Sequence, residues 1–178
     1  LDIFNLPITN VSALGGVHTL HLQMCQRITD VSALGGVHTL DLSSCNKITD
    51  VSMLGGIHAL DLSYCSEITE VSALGSVHTL NLQTCQRITD VSALGGVHTL
   101  DLYDCINRID CSVVQTVHTL TLLFCNDVVN VSSLHRVHTL TISNCRNITD
   151  VSALGNVHTL CITLGQITDV SALGNVHT

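Results

Sequence analysis

Leu40 and Leu42 alternate with Thr39, Asp41 and Ser43, which is the period of two that marks a half-buried strand. Around that pair the apolar residues are Val37, Cys45, Ile48, Val51 and Leu54, mostly three apart. Spacing of three predicts a coiling loop or 3₁₀ turn, and no stretch holds enough helical positions for a long helix. The same pattern returns every 20 residues. The chain therefore divides into a partial unit 1–16, units 17–36, 37–56, 57–76, 77–96, 97–116, 117–136, 137–156 and 157–175, and a partial unit 176–178. The eighth full unit has 19 residues, with Gly165 in place of the cysteine and one residue fewer before Ile167. One unit cannot bury both sides of its leucine row, whereas stacked units can, so the pattern predicts a single solenoid. Joining the closing VHT to the opening LDIFNLPI completes a short unit in register. The expectation is a slice of a longer array, with sheet edges exposed at both ends and end-to-end self-association as the consequence.

The string VHTLDLSSC, residues 37–45, fits L-x-x-L-x-L-x-x-C with Val in the first place. It resembles a leucine-rich repeat, and the resemblance runs through essentially the whole chain. The C-x-x-I-T-D portion resembles the cysteine-containing subclass of F-box substrate receptors. The V-S-A-L ending resembles the internalin and phosphatase-regulator subclasses, in which such a segment forms a 3₁₀ turn. Near-identical units also resemble arrays in giant DNA viruses of amoebae. The units here are shorter than in either subclass, so subclass function does not carry over. The fold class implied is α/β by convention and β-rich in practice. It is a right-handed horseshoe with a concave parallel sheet, a convex side of 3₁₀ turns and no long helices. Strands about 4.8 Å apart would make an arc of roughly 40 Å.

Charge narrows the partners. There are 14 acids and 6 bases, a net charge of −8 with histidine neutral. Affinity for nucleic acid and for anionic membranes comes from clustered Lys and Arg, so neither is expected as a partner. No apolar run approaches the roughly 20 residues of a membrane span, and no basic-then-apolar leader opens the chain. Aromatic residues are few (Phe4, Tyr64, Tyr103 and Phe124), so Leu, Val and Ile must build the core.

Three polar ladders follow the repeat. Cys25, Cys45, Cys65, Cys85, Cys105, Cys125 and Cys145 occupy the Asn/Cys site of the repeat, with Cys111 and Cys161 as extras. They are expected inside, donating weakly to carbonyls at the turn. A metal chain would need converging ligands, and a disulfide scaffold fits neither the parallel spacing nor the odd total of 9. Reduced buried thiols imply an intracellular, cytoplasmic setting. Histidines 18, 38, 58, 78, 98, 118, 138, 158 and 177 directly precede the strands. They form either a structural stack, each ring bonding backbone or the next rung, or a metal- or pH-sensing stripe. Asp30, Asp50, Glu70, Asp90, Asp110, Asp150 and Asp169, with Asn130, precede V-S-A-L and are expected to cap its turn. The Gly-Gly corners lack the ending of a phosphate loop and are expected to supply tight turns.

Variation between units marks what is exposed. The outward strand position reads His21, Asp41, Asp61, Asn81, Asp101, Thr121, Thr141 and Cys161. Asp41, Asp61 and Asp101 thus form an acidic stripe, and a cation between Asp41 and Asp61 near His21 is one way to relieve their repulsion. Tyr103, Leu123 and Phe124 cluster on adjacent rungs beside Asp101 and Asp104, with Tyr64 two rungs away. The fifth unit is irregular, its Ile one place late at Ile109, so Leu123 and Phe124 either anchor an interface or plug a gap. No nucleophile, base and oxyanion donor converge in a rung, so an enzyme is not expected, nor a cofactor or resident metal. The function expected is a protein-interaction module whose partner carries a basic patch. The alternatives are a spacer array without a partner and a histidine-ladder metal or pH sensor.

Overall fold

The computed structural model describes residues 1–105 and 110–177. The irregular stretch of the fifth unit, with Ile109, lies outside the described residues. Eight strands pair in chain order into one parallel sheet: β1 (Thr19–His21), β2 (Thr39–Asp41), β3 (Ala59–Asp61), β4 (Thr79–Asn81), β5 (Thr99–Asp101), β6 (Thr119–Leu123), β7 (Thr139–Ser143) and β8 (Thr159–Thr163). Each strand pairs with the residue 20 further on, as Leu40 does with Leu60 and Thr139 with Thr159. Short 3₁₀ turns, from Ser12–Leu14 to Ser171–Leu173, line the opposite side. Among the described residues no segment is α-helical.

The apolar positions of the repeat are the core. In the second rung Val37, Leu40, Leu42, Cys45, Ile48, Val51 and Leu54 are all 2% exposed or less. Each rung covers the leucines of the one before it. At the last rung the leucine positions open up: Leu160 and Ile162 are half-buried, and Leu164 beside them is 75% exposed.

Two local devices close each rung. The first is a left-handed residue just before the cysteine: Met24, Ser44, Tyr64, Thr84, Asp104, Phe124, Asn144 and Leu164 have φ between 47° and 61°. In the first five rungs the cysteine N–H then donates to the leucine carbonyl three residues back, as Cys45 does to Leu42 at 3.0 Å. Positive φ at the third residue is what such a four-residue turn demands. The second device is the cap. The Oδ1 atoms of Asp30, Asp50, Asp90, Asp110, Asp150 and Asp169 accept the N–H of the serine two residues on at 2.8–2.9 Å, and Asn130 does the same. Those hydrogen bonds hold these exposed carboxyls below the usual carboxylate range. Glu70, one carbon longer, takes the Ser72 hydroxyl instead.

The glycines work differently from the expectation. None has positive φ. A Cβ on Gly35, Gly55 or Gly75 would sit against the carbonyl oxygen of the next rung's turn, at Met53, Ala73 or Ala93. They permit close stacking of backbones, and the turn strain falls on the residue before the cysteine.

Candidate functional site

The cysteine ladder is interior and structural. Cys45, Cys65, Cys85, Cys125 and Cys145 donate their thiols to the leucine carbonyl of the preceding rung at 3.0–3.3 Å. All nine cysteines are free. Burial pushes the Cys45, Cys65 and Cys105 thiols up to about 12, which suppresses thiolate chemistry. Cys111 is buried in the place of a Val, while Cys161 is exposed beside Thr141.

The histidines stack along one edge of the sheet. Neighbouring rings from His18 to His177 lie 4.3–4.7 Å apart, with planes within 26° of parallel. Among the described residues their ring nitrogens bond neither backbone nor the next rung. Nδ1 instead faces the hydroxyl of the following threonine, as in His38–Thr39 and His98–Thr99 at 3.3 Å. His58, followed by Ala59, departs from that pairing. Among the described residues no three His, Cys, Asp or Glu side chains converge as metal ligands would.

The outward positions of the strands form the concave face. Asp41, Asp61 and Asp101 are half-buried there, and a shallow concavity of about 400 Å³ runs over β2–β5 along them. Each uses Oδ1 to accept the N–H two residues on, at Ser43, Ser63 and Tyr103, at 2.8–3.0 Å. That bond was readable in the Asp-x-Ser and Asp-x-Tyr spacing, because Asp favours such turns. The second oxygens differ. Gln23 donates to Asp41 and Asn81 donates to Asp61, so amide donors relieve the repulsion for which a cation was the alternative. Asp101 Oδ2 has no partner among the described residues. Burial, with Asp61 repulsion secondary, raises the Asp101 pKa against the lowering bond from Tyr103.

The aromatic cluster is adjacent. The Tyr103 and Phe124 rings meet edge-to-face, 5.3 Å between centroids at 62°. Phe124 is 40% exposed and Leu123 half-buried, and both lie outside the core cluster. Asp104 accepts from Gln86 Nε2 at 2.9 Å. Tyr64 is exposed two rungs away and contacts neither ring of the pair. Spacing alone had not revealed that Tyr64, Asp104 and Phe124 occupy the same left-handed position.

Residues 37–54 match the Leucine Rich repeat family profile. No curated protein matches the sequence. Among solved structures the chain is similar to an internalin (inlF) from Listeria monocytogenes, with a TM-score of 0.76 and 24% identity over 99% of this chain and 58% of that one. It is similar to internalin C2 (inlC2) of the same organism, TM-score 0.61 and 26% identity, over 100% of this chain and 78% of the other. It also matches the functional domain of InlJ from that organism, described as including a cysteine ladder, with a TM-score of 0.51 and 16% identity over 97% and 55% of the two chains. The fold is a leucine-rich-repeat horseshoe. The chain spans 58% of the length of the first internalin and 55% of InlJ's domain. Within the leucine-rich-repeat frame the thiols face inward and the stripe and aromatic cluster face the concave side.

Proposed function

We propose that residues 1–178 act as one leucine-rich-repeat solenoid that binds a protein partner on its concave sheet. Tyr103, Leu123 and Phe124 are the apolar anchor. Asp101 and Asp104 flank it, and the acidic stripe through Asp61 and Asp41, with Tyr64 at its margin, meets a basic patch on the partner. The observation that carries the reading is the contact of exposed Phe124 with half-buried Tyr103 beside Asp101, whose free oxygen stands ready for a cationic donor. Solenoids of stacked repeats present extended concave surfaces of this kind, and clustered aromatics are the usual hot spots of an interface. Complementary charge sets orientation and encounter rate. The free thiols support a reducing, intracellular compartment.

The test is a capture experiment from source-cell lysate. Wild type is compared with Tyr103→Ala/Phe124→Ala, after denaturant unfolding has matched their stabilities. A protein retained only by wild type is the expected result. A specific protein held equally by both excludes the cluster as the anchor. Nothing specific in either lane favours a spacer array.

A second contact is favoured by the exposed ends. At the two ends of the sheet Leu1, Phe4 and Leu164 are more than half exposed. Head-to-tail stacking would cover both faces without closing, giving open filaments. Sedimentation of the 178-residue chain is expected to show mass growing with concentration, and a monomer at high concentration excludes it.

A further inference from the structure

We propose that the histidine stack is a pH gate on the acidic face: on acidification it lays positive charge along that face's edge and releases a cationic partner. The inference rests on the reading of the concave stripe as the site for a basic patch. Its own basis is the placement of the rings.

His38, His58, His78 and His98 border β2–β5, the strands that carry Asp41, Asp61 and Asp101. From each histidine to the stripe is three residues along an extended strand, about 10 Å. That is near the distance over which charges still act at about 0.1 M salt. The stack is solvent-exposed, and Nδ1 of His38, His78 and His98 faces a threonine hydroxyl, which can accept from the ring once it is charged.

No carboxylate neutralises the rings once charged. The ion pairs among the described residues are His21–Asp2 and Arg87–Glu67, and neither includes a stacked ring. On the strand side His38, His78 and His98 face threonine hydroxyls and His58 is followed by Ala59, with the aspartates beyond. On the turn side they follow Gly36, Gly56, Ser76, Gly96, Thr116 and Asn156, all uncharged. The charged exceptions are Arg136 and His135 in the turn Ser132–Arg136, which precede His138 and add positive charge. Protonated rings 4.3–4.7 Å apart repel one another, so each charge added to the stack opposes the next. Burial first, and neighbouring rings second, hold His78 and His118 below the ordinary histidine range. An imidazole ordinarily gains its charge near pH 6.5, where carboxylates remain ionised, so acidification adds positive charge at the edge while the stripe keeps its negative charge.

The test uses the full chain and octalysine labelled on its N-terminal amine with tetramethylrhodamine, whose charge does not change between pH 7.5 and 5.5. Anisotropy is read at low ionic strength. Wild type is expected to bind at pH 7.5 through Asp41, Asp61 and Asp101, and about tenfold more weakly at pH 5.5. The His38→Gln/His58→Gln/His78→Gln/His98→Gln variant is expected to lose less than twofold. The milder His58→Gln/His78→Gln variant, which keeps most of the stack, should fall between them. Imidazole NMR should show His78 and His118 titrating below the ordinary histidine range. A wild-type affinity that does not change with pH overturns the gate and leaves the acidic-face reading standing. So does an equal loss in the variants. No aspartate-dependent binding at pH 7.5 overturns the acidic-face reading and the gate with it.

Discussion

Strands β2, β3 and β5 reach Asp41, Asp61 and Asp101, β4 reaches Asn81, and each stops after three residues. Strands β6 and β7 carry Thr121 and Thr141 in that place and run for five. The difference is a local competition for one N–H. In the acidic rungs the side chain takes the N–H of the residue two on, and the cysteine N–H closes a turn to the leucine carbonyl. In the threonine rungs the ladder continues through Leu123↔Ser143, the turn relaxes to a bend, and the thiols of Cys125 and Cys145 also reach the carbonyls two residues back at 3.4–3.5 Å. Short polar side chains compete with secondary structure in this way. The acidic rungs thus have capped, shallow strand ends, whereas β6 carries its sheet outward to Leu123 beside Phe124. The anchor proposed for a partner lies where one kind of rung gives way to the other.

The two regions also differ on the convex side. Gly35, Gly55 and Gly75 touch the next rung's backbone, while Gln115 and His135 hold the same place in the fifth and sixth units. Gly35→Ala drives its methyl into the Met53 carbonyl oxygen and is expected to cost about 3 kcal/mol or more. Gln115→Ala should be nearly neutral. Denaturant midpoints decide this, and equal midpoints would remove the distinction between tight and open rungs.

The next effect is common to both regions. Folding lowers the His78 and His118 pKa values from 6.5. The unfolded chain therefore binds more protons, and the stability is complete above the unfolded value of 6.5 and is lost as pH falls through the lower folded values. The capping aspartates also have lowered pKa values, so their contribution is present above the unfolded value of 3.8 and is lost at still lower pH. The melting temperature should fall in two stages on acidification. An unchanged value from pH 8 to 5 contradicts the first stage.

Asp61→Ala removes an acceptor from the Ser63 N–H and is expected to cost about 1 kcal/mol. Asp61→Thr should recover part of that loss by lengthening β3, and Ser63 amide exchange would then slow. Faster exchange in both variants would show that strand length is not set by this residue. The smallest change concerns the left-handed row. Thr84 is β-branched at φ 58°, so Thr84→Asn is expected to stabilise by about 0.5–1 kcal/mol. A thermal scan showing a loss would mean that Thr84 makes contacts that outweigh the strain.

Much of the fold was legible because the repeat states it twenty residues at a time. Val37, Leu40, Leu42, Cys45, Ile48, Val51 and Leu54 are buried because stacking leaves them no other place. The caps were legible in the Asp and Asn that precede V-S-A-L. The candidate residues were visible as departures from the repeat. Their relationships were not, since the Tyr103–Phe124 contact joins residues 21 apart and depends on in-register pairing of β5 and β6. A period in sequence fixes which positions face inward, because burial repeats with it. Tertiary structure alone decided that Asp101 keeps a free oxygen while Asp41 and Asp61 do not. It also decided that histidines stack ring on ring and that glycine serves close approach. Each of those depends on the neighbouring rung, whose side chains lie about twenty residues away along the chain and about 5 Å away in space.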